Sequence, residues 1–522
     1  NGSAVITGMA DAQEAENLAS SIRIGSLSLE LQELRSNVVG AQLGEAAIST
    51  SLKAGAIGLA LVCIFMMVVY LLPGVVAAIS LLLYTVLTLV TLNAFDITLT
   101  LPGIAGIILG IGMAVDANVI IYARIREEIA AGRSVKNAID IGFKKALSAI
   151  LDGNITTLIA AIVLGIMGTG SVKGFAYTLA MSIILSMFSA LVISRYLAKA
   201  FFALGFQDVK YYGCPKKHDT IDFLKHKKVF FAIAVVCMIS GPASMLIHSQ
   251  GGGKALNYSL EFMGGTSTNV TFNEDYSIEE IDEKVKPVVQ EVTGDANIQA
   301  TKVSGSNQVI IKTRELSLDE RTELSQKLNE KFGVDESTIT AESISSTVSN
   351  EMRQDAIVAV IIAAICMLIY IWLRFKDIRF GASAVLALLH DVLIVLAFYA
   401  IARISVGNTF IACMLTIIGY SINASIVIFD RIRENLGNSK KHSDEALKEI
   451  VNRSITQTLT RSIYTSLTTF ITIAALFILG VPSIREFAAP LMVGIVAGAF
   501  SSVCISGPLW YTLKTKFKSK NK

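Results

Sequence analysis

The chain has 522 residues, of which 53% are hydrophobic and 17% charged, and its formal net charge at pH 7 is +3. This composition, with a mean hydropathy of +0.59, indicates a polytopic membrane protein. Five of the six cysteines fall in apolar segments and Cys214 lies in a basic loop. No two cysteines therefore lie in one segment outside the membrane, which excludes a disulfide framework.

The first 50 residues are polar and of mixed composition. Apolar residues in DAQEAENLASSIR (11–23) recur at helical spacing, and ELQELRSNVVGAQLG (30–44) predicts an extended segment followed by turns. Because this segment is too small for an independent domain, we interpret it as the end of a larger one.

Eleven apolar segments follow, each near the roughly 20 residues that cross a bilayer. Five belong to a first half, and the sixth opens a second half in which a soluble segment separates it from the other five. The predicted spans lie at about 54–73, 75–95, 100–122, 146–168, 174–202, 228–247, 354–373, 380–401, 408–429, 461–481 and 487–513.

The soluble segment 251–353 has the pattern of a small α+β domain. Ser277 and Glu280 form a capping-box pattern at the start of an amphipathic helix, and Pro287 predicts a kink within that helix. The order βαββαβ predicts a ferredoxin-like split fold. The predicted elements are a strand at 259–272 around the Gly264-Gly265 break, a helix at 277–292, a hairpin of 296–303 and 307–313 joined near Gly305, a helix at 317–333 and a strand at 337–345.

We therefore predict an α-helical polytopic membrane protein made of two pseudo-repeats of transmembrane helices, with an external α+β ferredoxin-like domain. The predicted divisions are the end of a first external domain (1–50), a first transmembrane half (51–205), a cytoplasmic linker (206–227), the helix that opens the second half (228–250), a second external domain (251–353), the remaining transmembrane helices (354–513) and a basic cytoplasmic tail (514–522).

Basic residues are distributed unevenly between the loops. One set of loops is rich in Lys and Arg, whereas the short alternate loops carry only Lys173, Arg403 and Arg485. The positive-inside rule places the basic loops in the cytoplasm and residues 1–50 and 251–353 outside. Because an N-terminus on the outer side needs an earlier span to carry it there, we expect one span and most of an external domain to be missing from this chain.

One polar motif occurs twice. GMAVDANVIIYARIREE (112–128) returns 307 residues later as GYSINASIVIFDRIREN (419–435), with the same initial glycine and with RIRE at the same spacing. Such an echo indicates a duplicated membrane unit, as in many transporters. RIRE is interpreted either as a topology anchor with a salt-bridged loop or as a docking surface for a cytoplasmic or membrane partner.

Asp116 and Asn118 lie among apolar residues of the first motif copy. A charge there costs roughly 2.5 to 3.5 kcal/mol on insertion scales, so an intramembrane carboxylate is a candidate functional group. Burial disfavours the charged form and a nearby cation favours it, so Asp116 can bind and release protons as a cation withdraws and approaches. The alternative is a structural carboxylate satisfied by a neighbouring helix.

Arg461 is the expected cation, in TQTLTRSIYTSLTTF (456–470). Aligning the two halves pairs Gly153 with Arg461 and places Asp152 and Asn154 on either side of Gly153. A two-fold arrangement would then bring the half that is rich in acidic residues against the half that carries Arg461. The alternative is an arginine whose side chain snorkels to the cytoplasmic face of the membrane.

Two further polar positions lie within spans. Asn423 matches Asp116 in the repeat and, as an amide, is suited to hydrogen bonding rather than titration. Asp391, beside His390 in ALLHDVLIV (387–395), is either part of the same pathway or half of a helix-terminal polar pair close to water. The predicted proton pathway comprises Asp116, Asn118, Asp152, Asn154, Asp391, Asn423 and Arg461.

The sequence predicts neither an enzyme nor a cofactor or metal site. GTGSVKG (168–174) lacks the spacing of a phosphate-binding loop, and the five histidines have no metal-ligand spacing. Energy would then come from an ion gradient or from a partner.

These motifs resemble the bacterial SecD and SecF family of protein-export membrane proteins. The first motif copy with LDGNITTLIA (151–160) is similar to SecD, and LLHDVLIV (388–395), the second copy and TQTLTRSIYTSLTT (456–469) are similar to SecF. LNYSLEFMGGTS (256–267) resembles the start of the SecF external domain. The chain as a whole resembles fused SecDF proteins of the resistance-nodulation-division superfamily of proton-driven machines.

The resemblance implies that the protein pulls or holds exported polypeptide on the outer side of the translocon, using proton influx, while its external domains move. It implies Asp116 and Arg461 in the proton path. It also implies a place in the bacterial cytoplasmic (inner) membrane, with SecYEG, YajC, YidC, the lipid bilayer, protons and unfolded exported polypeptide as partners, and no nucleic acid.

Two departures from the family pattern affect these expectations. The SecF motif usually has Asp directly after its Asn, where this chain has Ala424. The family's first span and most of its first external domain are missing, which puts peptide capture there in doubt.

Two alternative functions follow: a passive scaffold that stabilises the translocon, and an exporter of small molecules or lipids. Na⁺ also stays open as the coupling ion, although a carboxylate without a clear oxygen cage suits a proton better.

Overall fold

In the computed structural model, a bundle of long helices carries a small antiparallel sheet at the end away from the basic loops. The structure describes residues 18–19, 35–37, 41–97, 99–213, 219–250, 255–295, 298–303, 306–375, 377–437 and 443–516. Of the helix predicted at 11–23, only 18–19 are described, and they are helical. The rest of that helix, Gly305 and the tail beyond residue 516 lie outside the described residues.

Eleven helices of the described chain are long and apolar enough to cross a membrane, as predicted. Two of them contain a π-helical turn, at Ser189–Ile193 and at Ser501–Ser506. The first six spans are built from α1 (Ala41–Tyr70), α2 (Leu72–Ala94), α3 (Leu101–Ala130), α4 (Val135–Met167), α5 (Gly170–Phe188) with α6 (Ser194–Ala203), and α7 (Lys227–Gln250). Short 3₁₀ helices at Val209–Tyr211 and Phe223–His226 precede α7.

The ends of several helices differ from the predicted spans. Helix α4 begins at Val135, not near 146, and the helix predicted from 461 begins at Asp444. Hydropathy detects only the apolar part of a helix, so a polar extension beyond the bilayer escapes it. The turns predicted up to residue 44 were also wrong, because α1 already begins at Ala41. Gly44 therefore lies inside α1 and not in a turn. A glycine inside a helix costs only about 1 kcal/mol relative to alanine, and the other residues of a long helix can offset that cost.

The sheet has the strand order of a ferredoxin-like fold. The order is β1-β5-β2-β4-β3, and all neighbours are antiparallel. The strands are β1 (Arg35–Asn37), β2 (Gly265–Thr271), β3 (Gln299–Lys302), β4 (Gln308–Thr313) and β5 (Thr340–Ile344). Strands β2 to β5 follow the predicted βαββαβ order, and β1 adds an edge strand from the segment before α1.

The helices of this domain cover one face of the sheet. They are α8 (Leu260–Met263), α9 (Ile278–Glu280), α10 (Lys286–Thr293) and α11 (Leu318–Phe332), with a π-helical turn at Ile281–Val285 and a 3₁₀ turn at Glu336–Thr338. The capping box at Ser277 is confirmed. The strand predicted from 259 was wrong in its first part, because residues 260–263 form a helical turn before the left-handed Gly264 and Gly265.

The last five spans complete the second half. They are α12 (Ser346–Phe375), α13 (Ile378–Ala402), α14 (Asn408–Gly437), α15 (Asp444–Leu479), and α16 (Pro482–Phe500) continued through the second π-helical turn into α17 (Gly507–Lys516). The two motif helices, α3 and α14, lie at the centre of the bundle and are its most buried spans. Helix α3 packs on α15, and α14 packs on α4. Each motif helix thus contacts the other half. The predicted domain limits stay a prediction.

Candidate functional site

The initial glycine of each motif copy allows a close crossing between the halves. A Cβ atom on Gly112 would lie 2.7 Å from Thr472 Oγ1, and one on Gly419 would lie 2.8 Å from the Thr157 Cα atom. Any larger residue would push α3 away from α15, or α14 away from α4. Glycine at both positions therefore sets the spacing that brings polar side chains of one half onto the other.

Asp116 lies at one of these crossings, and both of its carboxylate oxygens accept hydrogen bonds from the second half. Thr465 Oγ1 on α15 donates to Oδ1 over 2.7 Å, and Asn423 Nδ2 on α14 donates to Oδ2 over 2.8 Å. The residue is 7% exposed. A buried carboxylate from one half is thus held by two helices of the other half.

Arg461 faces Asp116 across a small cavity. It lies one helical turn before Thr465 on α15 and is 8% exposed, so it does not snorkel to the surface. The described ion pairs include none between Arg461 and Asp116, and Arg461 Nη2 donates no hydrogen bond to any described residue. The cavity has an empty volume of about 280 Å³ and is lined by Asp116, Tyr420, Asn423, Ala424, Val427, Arg461, Ser462 and Thr465.

Ala424 lies on this cavity, next to Asn423. An aspartate at that position, as in the family pattern, would place a second carboxylate on the lining that already holds Asp116. In this chain the lining contains one carboxylate and one guanidinium. Any charge change in the cavity therefore falls on Asp116 and Arg461.

The repeat relates this charged pair to a neutral pair. Asn423 corresponds to Asp116, and Gly153 corresponds to Arg461. A Cβ atom on Gly153 would lie 2.0 Å from Asn423 Oδ1, so the glycine packs directly against the amide. The structure thus brings both repeat-related pairs together at one crossing, but only the pair of Asp116 and Arg461 carries charge.

Asp152 does not join the Asp116 site. It accepts hydrogen bonds from Arg374 Nε over 2.6 Å and from the Tyr370 hydroxyl over 2.8 Å. Arg374 also contacts Asp430 over 3.5 Å. Successive helical residues point about 100° apart, so a helix that turns Gly153 toward Asn423 turns Asp152 toward another neighbour. No sequence pattern indicated Arg374 as the partner of Asp152.

The two other asparagines make local contacts. Asn154 Nδ2 donates to the Ile150 carbonyl of its own helix over 2.8 Å, and Asn118 Nδ2 lies 3.4 Å from the Ala114 carbonyl. Asn118 is buried, and its Oδ1 accepts no hydrogen bond from the described residues. Neither side chain is among the described hydrogen-bond donors to Asp116, so their predicted roles in a proton pathway stay predictions.

Asp391 forms a second buried polar cluster. It lies in the middle of α13 and is 0% exposed, which contradicts the helix-terminal alternative. Ser501 Oγ donates to Oδ2 over 2.7 Å, Ser421 Oγ donates to the same oxygen, and His390 Nδ1 lies 2.8 Å from Oδ1. Ser501 opens a π-helical turn, a feature that the sequence did not reveal.

The α+β domain is tied to the start of a motif helix. Both oxygens of the Glu261 carboxylate accept hydrogen bonds from Asn408, one from its backbone N–H over 2.7 Å and one from its Nδ2 over 3.2 Å. Backbone bonds join Ser259 to Val406 over 3.0 Å and Val406 to Asn257 over 2.7 Å. The start of α14 is therefore hydrogen-bonded to the segment that leads into β2.

These features define a class of protein: a polytopic membrane protein of two related helical halves, with a buried carboxylate and guanidinium where the halves cross. The family model described as the C-terminal part of the protein-export membrane proteins SecD/SecF matches residues 23–203 and again residues 324–516. The chain therefore belongs to the SecD/SecF family of protein-export membrane proteins. The match of one model to both halves agrees with the duplication inferred from the repeated motif.

Relatives with similar sequences are named as protein translocase subunits SecDF. The chain is 36% identical to SecDF of Bacillus subtilis over 99% of its own length and 71% of the relative, and 34% identical to SecDF of Brucella abortus over 97% and 65%. The crystal structure of SecDF from Thermus thermophilus, titled a translocon-associated membrane protein, matches with a TM-score of 0.84 at 33% identity, over 98% of this chain and 69% of that chain. The chain thus spans about two thirds of the length of these relatives.

Proposed function

We propose that the chain promotes the export of unfolded polypeptide by coupling proton movement at Asp116 to movement of the α+β domain on the outer side of the bacterial cytoplasmic membrane. The observation that carries the proposal is that Asp116 binds two helices of the other half and faces Arg461 in a buried cavity. Such a carboxylate is the one group in the cavity whose charge a proton can remove.

Protonation of Asp116 changes every contact that it makes. The ionised carboxylate attracts Arg461 and accepts charge-assisted bonds from Thr465 and Asn423, which are about twice as strong as neutral ones. The protonated group keeps only weaker bonds. The contacts that hold α3 to α14 and α15 then weaken, so that these helices move relative to each other. Helix α14 transmits this movement to Glu261, which binds its first residue.

A proton suits this site better than Na⁺. A bound metal cation would lie in the same small cavity as the Arg461 guanidinium, and two like charges a few ångströms apart in a low-dielectric site repel strongly. A proton on Asp116 instead neutralises the carboxylate and leaves a single charge.

The positive-inside pattern supports the orientation of the protein with its basic loops in the cytoplasm.

The relatives supply the partner class. They are named as SecDF translocase subunits, and one solved relative is titled translocon-associated. We infer that this chain acts beside a SecYEG translocon, with YajC and YidC as further partners.

Translocation of an unfolded substrate into inverted membrane vesicles tests the proposal. Asp116→Asn should abolish the stimulation that depends on an imposed proton gradient, since it keeps the size of the side chain and removes its titration. Asp140→Asn is the matched control, because Asp140 pairs with Lys199 on an exposed surface. Full gradient-dependent stimulation in Asp116→Asn vesicles would contradict the proposal.

A passive scaffold is the second candidate, and Ala424 is the observation in its favour, because the cavity holds a single carboxylate. A scaffold would stimulate translocation equally after the gradient is collapsed. The exporter alternative has less support. Ligand pockets for small molecules are lined mainly by apolar side chains, whereas this cavity is lined by a carboxylate, a guanidinium and an amide.

A further inference from the structure

The two RIRE segments bind each other at the basic ends of α3 and α14. Arg124 contacts Glu127 over 2.9 Å and Glu434 over 3.3 Å. Arg431 contacts Glu434 over 3.4 Å and also binds Glu127. We call these four side chains the clasp. Each arginine holds the glutamate of its own motif copy and that of the other copy, so the clasp joins the two halves.

The clasp is a built feature rather than a chance surface contact. The side chains of Arg124 and Arg431 are each 10% exposed, whereas Glu127 and Glu434 are partly accessible. Exposed ion pairs contribute little, but a closed network of nearly buried arginines is held more firmly. Its two positive and two negative charges balance.

The second arginine of each motif copy anchors that copy to its own half. Arg126 Nη2 donates to the Val69 carbonyl over 2.7 Å, and its guanidinium lies 4.6 Å from the centre of the Tyr70 ring. In the second half, Arg433 stacks in the same way on Phe375, 5.7 Å from the ring centre. The motif thus combines a fixed anchor within each half with a releasable contact between halves.

Arg461 lies between the clasp and Asp116. Arg124 follows Asp116 by two helical turns, about 12 Å along α3, and Arg461 precedes Thr465 by about 6 Å along the antiparallel α15. The guanidinium of Arg461 interacts electrostatically with Asp116 on one side and with clasp residues on the other. Several titratable and charged groups interact electrostatically with Asp116 or Arg461: Tyr70 on α1, Arg124 and Glu127 on α3, and Tyr420 and Arg431 on α14.

We propose that the clasp is the gate between the Asp116 cavity and the basic-loop side of the membrane, and that Arg461 opens it. While Asp116 is ionised, Arg461 is held toward it and the clasp stays closed. When Asp116 takes up a proton, Arg461 keeps its electrostatic attraction to the Glu127 carboxylate of the clasp. Arg461 then competes with Arg124 and Arg431 for Glu127, and the contact between the halves loosens. This inference rests on the proposed proton coupling at Asp116.

Thiol labelling of Ala424→Cys tests the gate, because position 424 lines the cavity. A membrane-impermeant maleimide is added to inverted vesicles, whose outer surface is the basic-loop side. Each rate is divided by that of a permeant maleimide, which corrects for changes in the reactivity of the thiol itself. Labelling of the chain without Ala424→Cys is subtracted, which removes the contribution of the native cysteines.

Opening the clasp should expose the cavity. With Glu127→Gln and Glu434→Gln together, the corrected labelling rate should rise about tenfold. Losing the equivalent of one charge-assisted contact raises the population of the open state by about that factor. Glu128→Gln is the matched control, since Glu128 lies on the same turn but pairs with Arg133 and Lys145. Equal rates for the clasp variant and this control would overturn the proposal.

Asp116→Asn, with the clasp residues unchanged, gives a second and independent test. It imitates the protonated carboxylate and should raise the corrected rate in the same way. An unchanged rate would overturn the gate. If translocation in the same vesicles loses its gradient dependence while labelling stays slow, the coupling proposal stands and the gate is wrong. If labelling rises while translocation keeps its gradient dependence, the gate stands and the coupling proposal is wrong.

Discussion

Asn423 donates a 2.8 Å hydrogen bond to Asp116, the residue to which it corresponds in the repeat. Two equivalent positions can contact each other only where the two halves cross at their shared axis. The same crossing brings Arg461 toward Asp116 and Gly153 toward Asn423. The site is therefore symmetric in its packing and asymmetric in its charge.

Restoring the family's aspartate should strengthen the coupling. Ala424→Asp adds a second carboxylate to a cavity whose described lining has one, that of Asp116. We expect a larger difference in translocation between imposed and collapsed gradients. Ala424→Asn, which adds similar volume without titration, is the control. An equal response of both variants would show that the volume added at position 424, and not the added charge, changes the gradient dependence of translocation.

Removing the Thr465 hydroxyl should weaken the hold on Asp116. Thr465→Val keeps the shape of the side chain and deletes the donor to a buried carboxylate, a loss of about 1.5–3 kcal/mol. We expect gradient-dependent stimulation to fall by at least about tenfold. Thr465→Ser, which keeps the hydroxyl, should retain most of the activity. Similar activity in both variants would argue that the hydrogen bond has no role in coupling.

Gly153→Ala should separate α4 from α14. The added methyl group would lie 2.0 Å from Asn423 Oδ1, and such overpacking costs about 1–3 kcal/mol. Thermal unfolding in detergent should show a lower midpoint. Gly437→Ala is the control, because a Cβ atom there meets no atom within 4 Å. A midpoint for Gly153→Ala equal to that of the control would contradict the close packing.

Breaking the bond between Glu261 and Asn408 should uncouple the α+β domain from α14. Glu261→Ala removes the acceptor at the start of the helix, where the loss of such a cap costs about 0.5–2 kcal/mol. Hydrogen exchange should quicken in the first turn of α14 and in residues 255–263. Translocation should lose stimulation even though the Asp116 cavity is unchanged. Glu279→Ala, on an exposed helix start, is the control.

The α+β domain should have its own pH dependence. Hydrogen bonds and charge from Arg314 lower the pKa of Glu320 from 4.5 to about 2. A lowered pKa in the folded state contributes stability above pH 4.5, and that contribution disappears as the pH falls toward 2. Hydrogen exchange in α11 should therefore be slower in the native chain than in Glu320→Gln at pH 6, and the difference should vanish near pH 2. A difference that is independent of pH would contradict the assignment.

Several features could be predicted from the sequence because they depend on local patterns. Hydropathy identified eleven spans, and periodicity with turn residues identified the order of the sheet domain. The repeat also related Asp116 to Asn423, and the structure brings these two residues into contact. Sequence symmetry therefore carried information about tertiary contacts.

The partners of individual side chains could not be predicted, because they depend on how the helices are rotated. Asp152 was expected in the proton pathway with Asp116 and Arg461 but binds Arg374, a residue 222 positions away at the end of another helix. Ser501 reaches Asp391 because a π-helical turn rotates the following residues, and no sequence pattern marks that turn. The ion pairs between the two RIRE segments were not predicted, because each segment alone resembles an ordinary salt-bridged loop.

Proton flux measured in proteoliposomes tests the central claim most directly. Vesicles with an internal pH-sensitive dye contain the native chain, Asp116→Asn or the control Asp140→Asn, and an imposed gradient drives protons inward. The account predicts that the native chain and Asp140→Asn acidify the interior faster than empty vesicles, and that Asp116→Asn does not. Equal acidification by the native chain and Asp116→Asn would show that protons do not pass by Asp116.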